Sequence, residues 1–290
     1  MGTSNIYHGK NDRNPLLPED YDSTINGGDN SGESNDNANY SGEDDNNIGG
    51  SNENKSNENI ANGNTETIPI KWKTVKTDMS KYIRSGGTKG HINHIVKQYI
   101  RASGGSSKLV SQSRSGIRAV SGLGIILNDI RRHGVEITFR NLGIDFVGRS
   151  VKEIFSQLIN ILAPMSDTKE DIVAKEASQE ALSKVYDYIE KNEMDIECLN
   201  QMDPILMNEV LCEYVSSYIW TMIMNDLGSR FEIYIEDPKQ TLSLEQEFKD
   251  YIYSTAKVEF ETKGDIVNHD VASAITDLYE RCLKTLEGIL

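Results

Sequence analysis

Apolar and polar positions are distributed very unevenly along this chain. Up to Thr67 there is no helical or strand periodicity, because Asn, Gly, Ser and Asp take almost every position. Too few large apolar side chains are present there for burial to offset the entropy of ordering, so residues 1–67 are expected to be disordered. Periodicity begins in "IPIKWKTVKTDMSKYIRSGG", where Pro69 and Trp72 end the polar run. Thr77 or Asp78 is placed to cap a short helix that stops at Gly86-Gly87. In "HINHIVKQYIRASGG", Ile92, Ile95, Val96, Tyr99 and Ile100 recur at helical spacing before Gly104-Gly105.

The following stretch, "SSKLVSQSRSGIRAVSGLGIILNDIRRHG", gathers Leu109, Val110, Ile117, Val120, Leu123, Ile126, Leu127 and Ile130 on one broad side when read as a helix. Gly116, Ala119, Gly122 and Gly124 would let a neighbouring helix come close, at about 1 kcal/mol of helix propensity per glycine. A phosphate-cradling loop is the other reading of such a series, but neither G-x-G-x-x-G nor G-x-x-x-x-G-K-[ST] is matched. "VEITFRNLGIDF" is β-branched without a partner strand and reads as an extended connection. Helical patterns then run from Val151 to Leu162 before Pro164, and through "SDTKEDIVAKEASQEALSKVYDYIEKN", with Ser166 or Asp167 as cap and Glu170 completing a capping box. Asp203-Pro204 opens a further helix in which Trp220, Met222, Ile223 and Met224 are expected to be deeply buried. Two amphipathic helices, beginning near Asp237 and Asp265, complete an all-α helical bundle over residues 68–290.

Charge divides the chain into three. Residues 1–67 hold thirteen acidic and three basic side chains, residues 68–149 fifteen basic and four acidic, and residues 150–290 twelve basic and twenty-eight acidic. The overall net charge of −15 therefore conceals a basic middle between acidic flanks. That middle faces either the acidic parts of its own chain or an external anionic partner, a nucleic acid or an acidic protein surface. Arg84, Lys97, Arg101, Lys108, Arg114, Arg118, Arg131 and Arg132 are the cations available, with Tyr82 and Tyr99 for stacking. No nucleic-acid motif accompanies them, so a protein partner is the more economical reading.

Catalytic chemistry finds little support. Cys198, Cys212 and Cys282 are odd in number and widely spaced, which suits a reducing cytosol rather than a disulfide framework or zinc site. His91 and His94 share a helix face without evident third and fourth ligands, so a surface pair is expected rather than a metal site. His133 sits at a helix end, and His269 in an acidic helix start. The carboxylates alternate with lysines as on solvated helix faces. No apolar run approaches the roughly 18 residues of a membrane span. With no signal-peptide pattern, the sequons at Asn39 and Asn54 are read as chance. The expectation is a non-enzymatic, cofactor-free cytoplasmic protein.

The amino terminus carries the most specific chemistry. Removal of Met1 would expose Gly2 as a free α-amine, whose pKa of about 7.7–8.0 leaves a nucleophilic neutral fraction that a lysine lacks. Myristoylation is a poor explanation, because Ile6 stands where Ser or Thr is required. The start "MGTS", the polar tail, "KYIRSGG…QYIRASGG…SRSGIRAVSGLG" and "LGIDFVGRSVKEIFSQLINILAP" together resemble the QatB family of the four-gene Qat antiphage defence system. The resemblance spans essentially the whole chain, although beyond its first residues the tail matches in character only.

That resemblance implies partners: a QueC-like enzyme (QatC), an ATPase (QatA) and a TatD-like nuclease (QatD). It further implies that the QueC-like enzyme conjugates a 7-deazaguanine to Gly2; the hydroxyls of Thr3 and Ser4 are then placed to hydrogen-bond within the enzyme's cleft. The helical body, through Arg84, Lys97, Arg101, Arg114 and Arg118, would form the docking surface. The alternatives are a nucleic-acid-binding module and a purely structural scaffold of the defence complex.

Overall fold

The structure, a computed structural model, describes residues 71–88, 90–145, 147–164, 168–234, 238–263 and 271–289. The expected disordered tail, with Gly2, Thr3 and Ser4, lies outside the described residues, as does His269. Every regular element among the described residues is helical. In chain order these are α1 (Trp72–Arg84), α2 (Ile92–Ala102), α3 (Ser106–Gln112), α4 (Arg114–His133), α5 (Val135–Asn141) and α6 (Val151–Leu162). They continue with α7 (Lys169–Lys191), a 3₁₀ turn (Ile196–Gln201), α8 (Pro204–Leu227), α9 (Ser229–Tyr234), α10 (Pro238–Lys263) and α11 (Val271–Glu287). The chain is thus an all-α bundle.

Local chemistry explains most boundaries. Ser150 and Glu153 form a reciprocal capping box at the start of α6, and Asp203 accepts from the Leu206 amide at 2.7 Å while Pro204 takes the first helical position of α8. Gly86, Gly104, Gly134 and Gly288 stop or redirect helices with positive φ. Four boundary expectations change. α1 begins at Trp72, so Thr77 and Asp78 lie inside it. The Ser/Gly-rich stretch is two helices broken at Ser113, whose hydroxyl bonds back to the Leu109 carbonyl and meets the Tyr279 hydroxyl at 2.8 Å. "VEITFRN" is helix α5 rather than extended, because Gly134 turns the chain and Asn200 Oδ1 accepts from the Val135 amide at 2.7 Å. At α7 the Thr168 hydroxyl accepts from the Asp171 amide as the cap, so Glu170 is not at the third helical position that a capping box needs, while Ser166 and Asp167 lie outside the described residues.

α4 is the central element, packed against α5, α6, α7, α8 and α11. Its glycines face three different neighbours. A Cβ on Gly116 would lie 2.3 Å from the ring of Tyr218 in α8, and one on Gly124 would lie 2.8 Å from both Val271 and Ile275 in α11. At Gly122 the nearest atom is the terminal methyl of Leu162 in α6, at 3.2 Å. At Gly116 the contacted atoms belong to a buried ring, so glycine there sets how near α4 and α8 come, while at Gly124 they are the ends of Val271 and Ile275, which an added methyl would have to displace. Around α4 the long helices α7, α8 and α10 stack side by side, burying Val185, Tyr214, Ile219 and Phe248. Trp220 and Ile223 are buried as expected, whereas Met222 and Met224 are only half-buried because they lie on the flank of α8.

The basic and acidic portions join chiefly through uncharged donors. Glu287 is buried and accepts from the Ser106 amide at 2.9 Å, satisfying a donor at the start of α3. The Tyr82 hydroxyl donates to Glu247 and the Tyr99 hydroxyl to Asp226, each at 2.9 Å. Glu170 accepts from the amides of Ser115 and Gly116 at the start of α4. Arg118 adds a looser charged contact, 3.8 Å from Asp171.

Two substitutions test this packing. Gly116→Ala is expected to lower unfolding free energy by roughly 1–3 kcal/mol, because the Tyr218 ring cannot yield. Gly122→Ala, facing a mobile methyl, should leave it unchanged or raise it by up to about 1 kcal/mol. Urea unfolding measures both, and equal effects would contradict the close-approach account. Glu287→Ala should cost roughly 1–3 kcal/mol by stranding the Ser106 amide, with hydrogen exchange accelerated at that amide. Unaltered exchange there would show that the clasp does not hold the end of α3.

Candidate functional site

The five cations expected to dock a partner fall on three helices. Lys97 and Arg101 stand one turn apart on α2, Arg114 and Arg118 one turn apart at the start of α4, and Arg84 in the last turn of α1. Arg84, Arg101, Arg114 and Arg118 are exposed. Lys97 is half-buried, and a Cβ on Gly288 would lie 2.8 Å from its Nζ, which places its charge at the carboxyl end of α11. Lys97 thus completes a helix end, while the arginines point outward. Because the acidic portion binds amides and tyrosines, most of the cationic surface on α2 and α4 is left facing solvent.

A cleft of about 430 Å³ lies where α1, α2, α3, α7 and α8 meet. Trp72, Tyr99 and Tyr218 form its aromatic walls, and Leu109, Val173 and Met222 its apolar surface. Trp72 stands edge-on to Tyr99, with ring centroids 5.5 Å apart, and keeps 37% of its surface exposed. Lys108, Lys169, Glu170 and Asp226 supply two positive and two negative charges. Asp226 is engaged by Tyr99 and by Lys169. Glu170 directs Oε1 at the Ser115 and Gly116 amides and at the Tyr218 hydroxyl, 3.4 Å away. Its Oε2 has no hydrogen-bond or ion-pair partner among the described residues.

Burial, reinforced by Asp226, raises the Tyr99 hydroxyl pKa, and burial with the Glu170 charge raises that of Tyr218. Both are therefore neutral hydrogen-bond donors at any physiological pH rather than bases or nucleophiles. The cleft can bind and orient. Sequence reading reached Tyr99 only as a core and stacking residue and gave Glu170 only a capping role. The one local signal was Glu170, a carboxylate in the first turn of a helix that already had other capping candidates.

The remaining chemistry-bearing residues are dispersed. His91 occupies the cap position of α2, and His94 Nε2 lies 3.7 Å from Asp78. His133 is 3.9 Å from Asp129. Among the described residues no group of three or more His, Cys, Asp and Glu is placed to hold a metal ion, and no helix is long and apolar enough to cross a membrane. Cys212 is buried, which pushes its thiol pKa up to about 12, and burial likewise raises Cys282. Cys198 is half-buried and less strongly raised, again by burial first.

No curated protein and no solved structure matches the chain. A family model does: that of the Qat anti-phage system associated protein QatB matches residues 104–286. The matched segment runs from the turn before α3 to the last turn of α11, so it includes Arg114, Arg118, the central glycines and Glu170. Since it covers more than half of the chain, and the bundle's central helix lies wholly within it, the chain belongs to the QatB family of the Qat anti-phage system.

Proposed function

We propose that this QatB-family chain is a non-catalytic protein substrate and adaptor of the defence system, acted on by a QueC-like partner at Gly2. The observation that carries the reading is the family match over residues 104–286, which makes the chain a component of an anti-phage system. The partner would use ATP to adenylate the carboxylate of a 7-carboxy-7-deazaguanine. The neutral Gly2 amine attacks the activated acyl carbon, AMP leaves with the bonding electron pair, and the nitrogen loses a proton as the amide forms. Glycine suits this role because no side chain obstructs approach to the acyl carbon, and its α-amine is partly neutral near pH 7.5. Thr3 and Ser4 would extend the contact in the partner's cleft.

Docking is assigned to the helical body. The outward arginines Arg101, Arg114 and Arg118, with Arg84, present planar donors suited to carboxylates on a protein surface. Exposed arginines speed encounter with an acidic face, and association through them is sensitive to salt.

Co-expression with the QueC-like partner and its deazaguanine precursor should yield a mass adduct mapping to Gly2 by intact-mass and peptide analysis. Gly2→Leu should retain Met1 and abolish the adduct while leaving the circular dichroism of the bundle unchanged. An unmodified terminus in the presence of active partner would refute the substrate role. Arg101→Glu combined with Arg114→Glu should shift stability by no more than about 0.5 kcal/mol per site yet weaken co-purification with the partner at least about tenfold. Unchanged association would remove these residues from the docking surface.

A further inference from the structure

We propose that the cleft between α1, α2, α3, α7 and α8 is a nucleotide-binding site that holds one amino-bearing base and its phosphate. The inference is independent of the substrate role of Gly2. Three features converge. First, the cleft is of ligand size, about 430 Å³, and is built from five helices rather than being a furrow between two. Second, its walls are aromatic. Trp72 has more than a third of its surface exposed although Tyr99 packs against it, which leaves it accessible to a ligand, and Met222 adds a polarisable contact.

Third, the polar groups are divided as a nucleotide requires. Glu170 has one oxygen spent on the start of α4 and the other without a partner among the described residues, so it presents a charged acceptor fixed in direction by its other bonds. A carboxylate oxygen of this kind accepts from an exocyclic amino or ring imino N–H of a base. Lys108 and Lys169 supply charge for a phosphate. Lys169 already pairs with Asp226, which leaves exposed Lys108 as the principal phosphate contact. Gln112, also lining the cleft, can donate or accept at the base edge or sugar. The four charges of the cleft cancel, so a bare cation or anion gains little there, whereas a neutral base bearing an anionic tail matches both ends.

The same chemistry is offered by a free mononucleotide and by the end of a single strand. The full-length chain should be titrated by calorimetry with guanosine monophosphate, adenosine monophosphate and a short single-stranded oligodeoxynucleotide, with tryptophan fluorescence in parallel. Saturable binding of the mononucleotides would identify free nucleotide as the source, and binding of the oligonucleotide alone would identify a strand end. Glu170→Gln keeps an oxygen for the Ser115 amide but turns the free acceptor into an NH₂ donor; affinity should fall at least about tenfold. Trp72→Ala, at the exposed rim, should reduce affinity comparably and abolish the fluorescence change without unfolding the bundle. Lys108→Ala should weaken guanosine monophosphate but leave guanosine unaffected. Absence of saturable binding by all three probes would overturn the proposal, as would wild-type affinity in both Glu170→Gln and Trp72→Ala.

Discussion

The close approach that glycine permits around α4 is the constraint on which the rest of this bundle depends. At Gly116 the ring of Tyr218 occupies the volume a methyl would take, and at Gly124 the ends of Val271 and Ile275 do. The helix gives up intrinsic propensity at these positions, about 1 kcal/mol for each glycine relative to alanine. Burial of Ala119, Leu123, Ile126 and Ile130 around it outweighs that cost. With α4 seated this deeply, α8 and α11 meet it on different sides, and Tyr218 is brought within 5.8 Å of Tyr279. The same placement puts the start of α4 beside Glu170, which lines the aromatic cleft.

Charge follows from this arrangement in a way that net composition conceals. An acidic portion packed on a basic one suggests mutual neutralisation by ion pairs. Instead, Glu287 and Glu170 are used on backbone amides at helix starts, and Glu247 and Asp226 on tyrosine hydroxyls. A carboxylate at a helix start satisfies donors that nothing within the helix can reach, and it meets the positive end of the helix dipole. Arg101, Arg114 and Arg118 meanwhile lie exposed at the surface. Within the same basic middle Lys97, laid against the end of α11, serves the fold.

Helix identity was legible wherever apolar spacing was regular: α2, α6, α7, α8, α10 and α11 all lie where periodicity places them. The small residues Gly116, Ala119, Gly122 and Gly124 of α4 were also readable as allowing close helix approach, but for one neighbouring helix, whereas the three glycines meet three. Local signals misled where a tertiary contact decides. The β-branched Val135, Ile137 and Thr138 suggest extended chain, yet Asn200, sixty-five residues away, caps the helix they form. The break at Ser113 depends on Tyr279 from the other end of the chain. The cleft was not legible at all, since Trp72, Lys108, Glu170 and Asp226 come from four helices whose crossing no local pattern encodes. The reading of Gly2 rests on the sequence alone, through the reactivity of a terminal amine and a family resemblance, and lies outside the described residues.

In the proposed function the labour is divided: the bundle would supply position, and the terminus would supply the nucleophile. The most direct test of that division is hydrogen-exchange footprinting of the chain alone and in complex with the QueC-like partner. The account predicts slowed exchange in the exposed amides flanking Arg101 and Arg114 and in the peptide containing Gly2, with the α8 core unaltered. Stable association with protection confined to other faces, and none at the amino terminus, would contradict it.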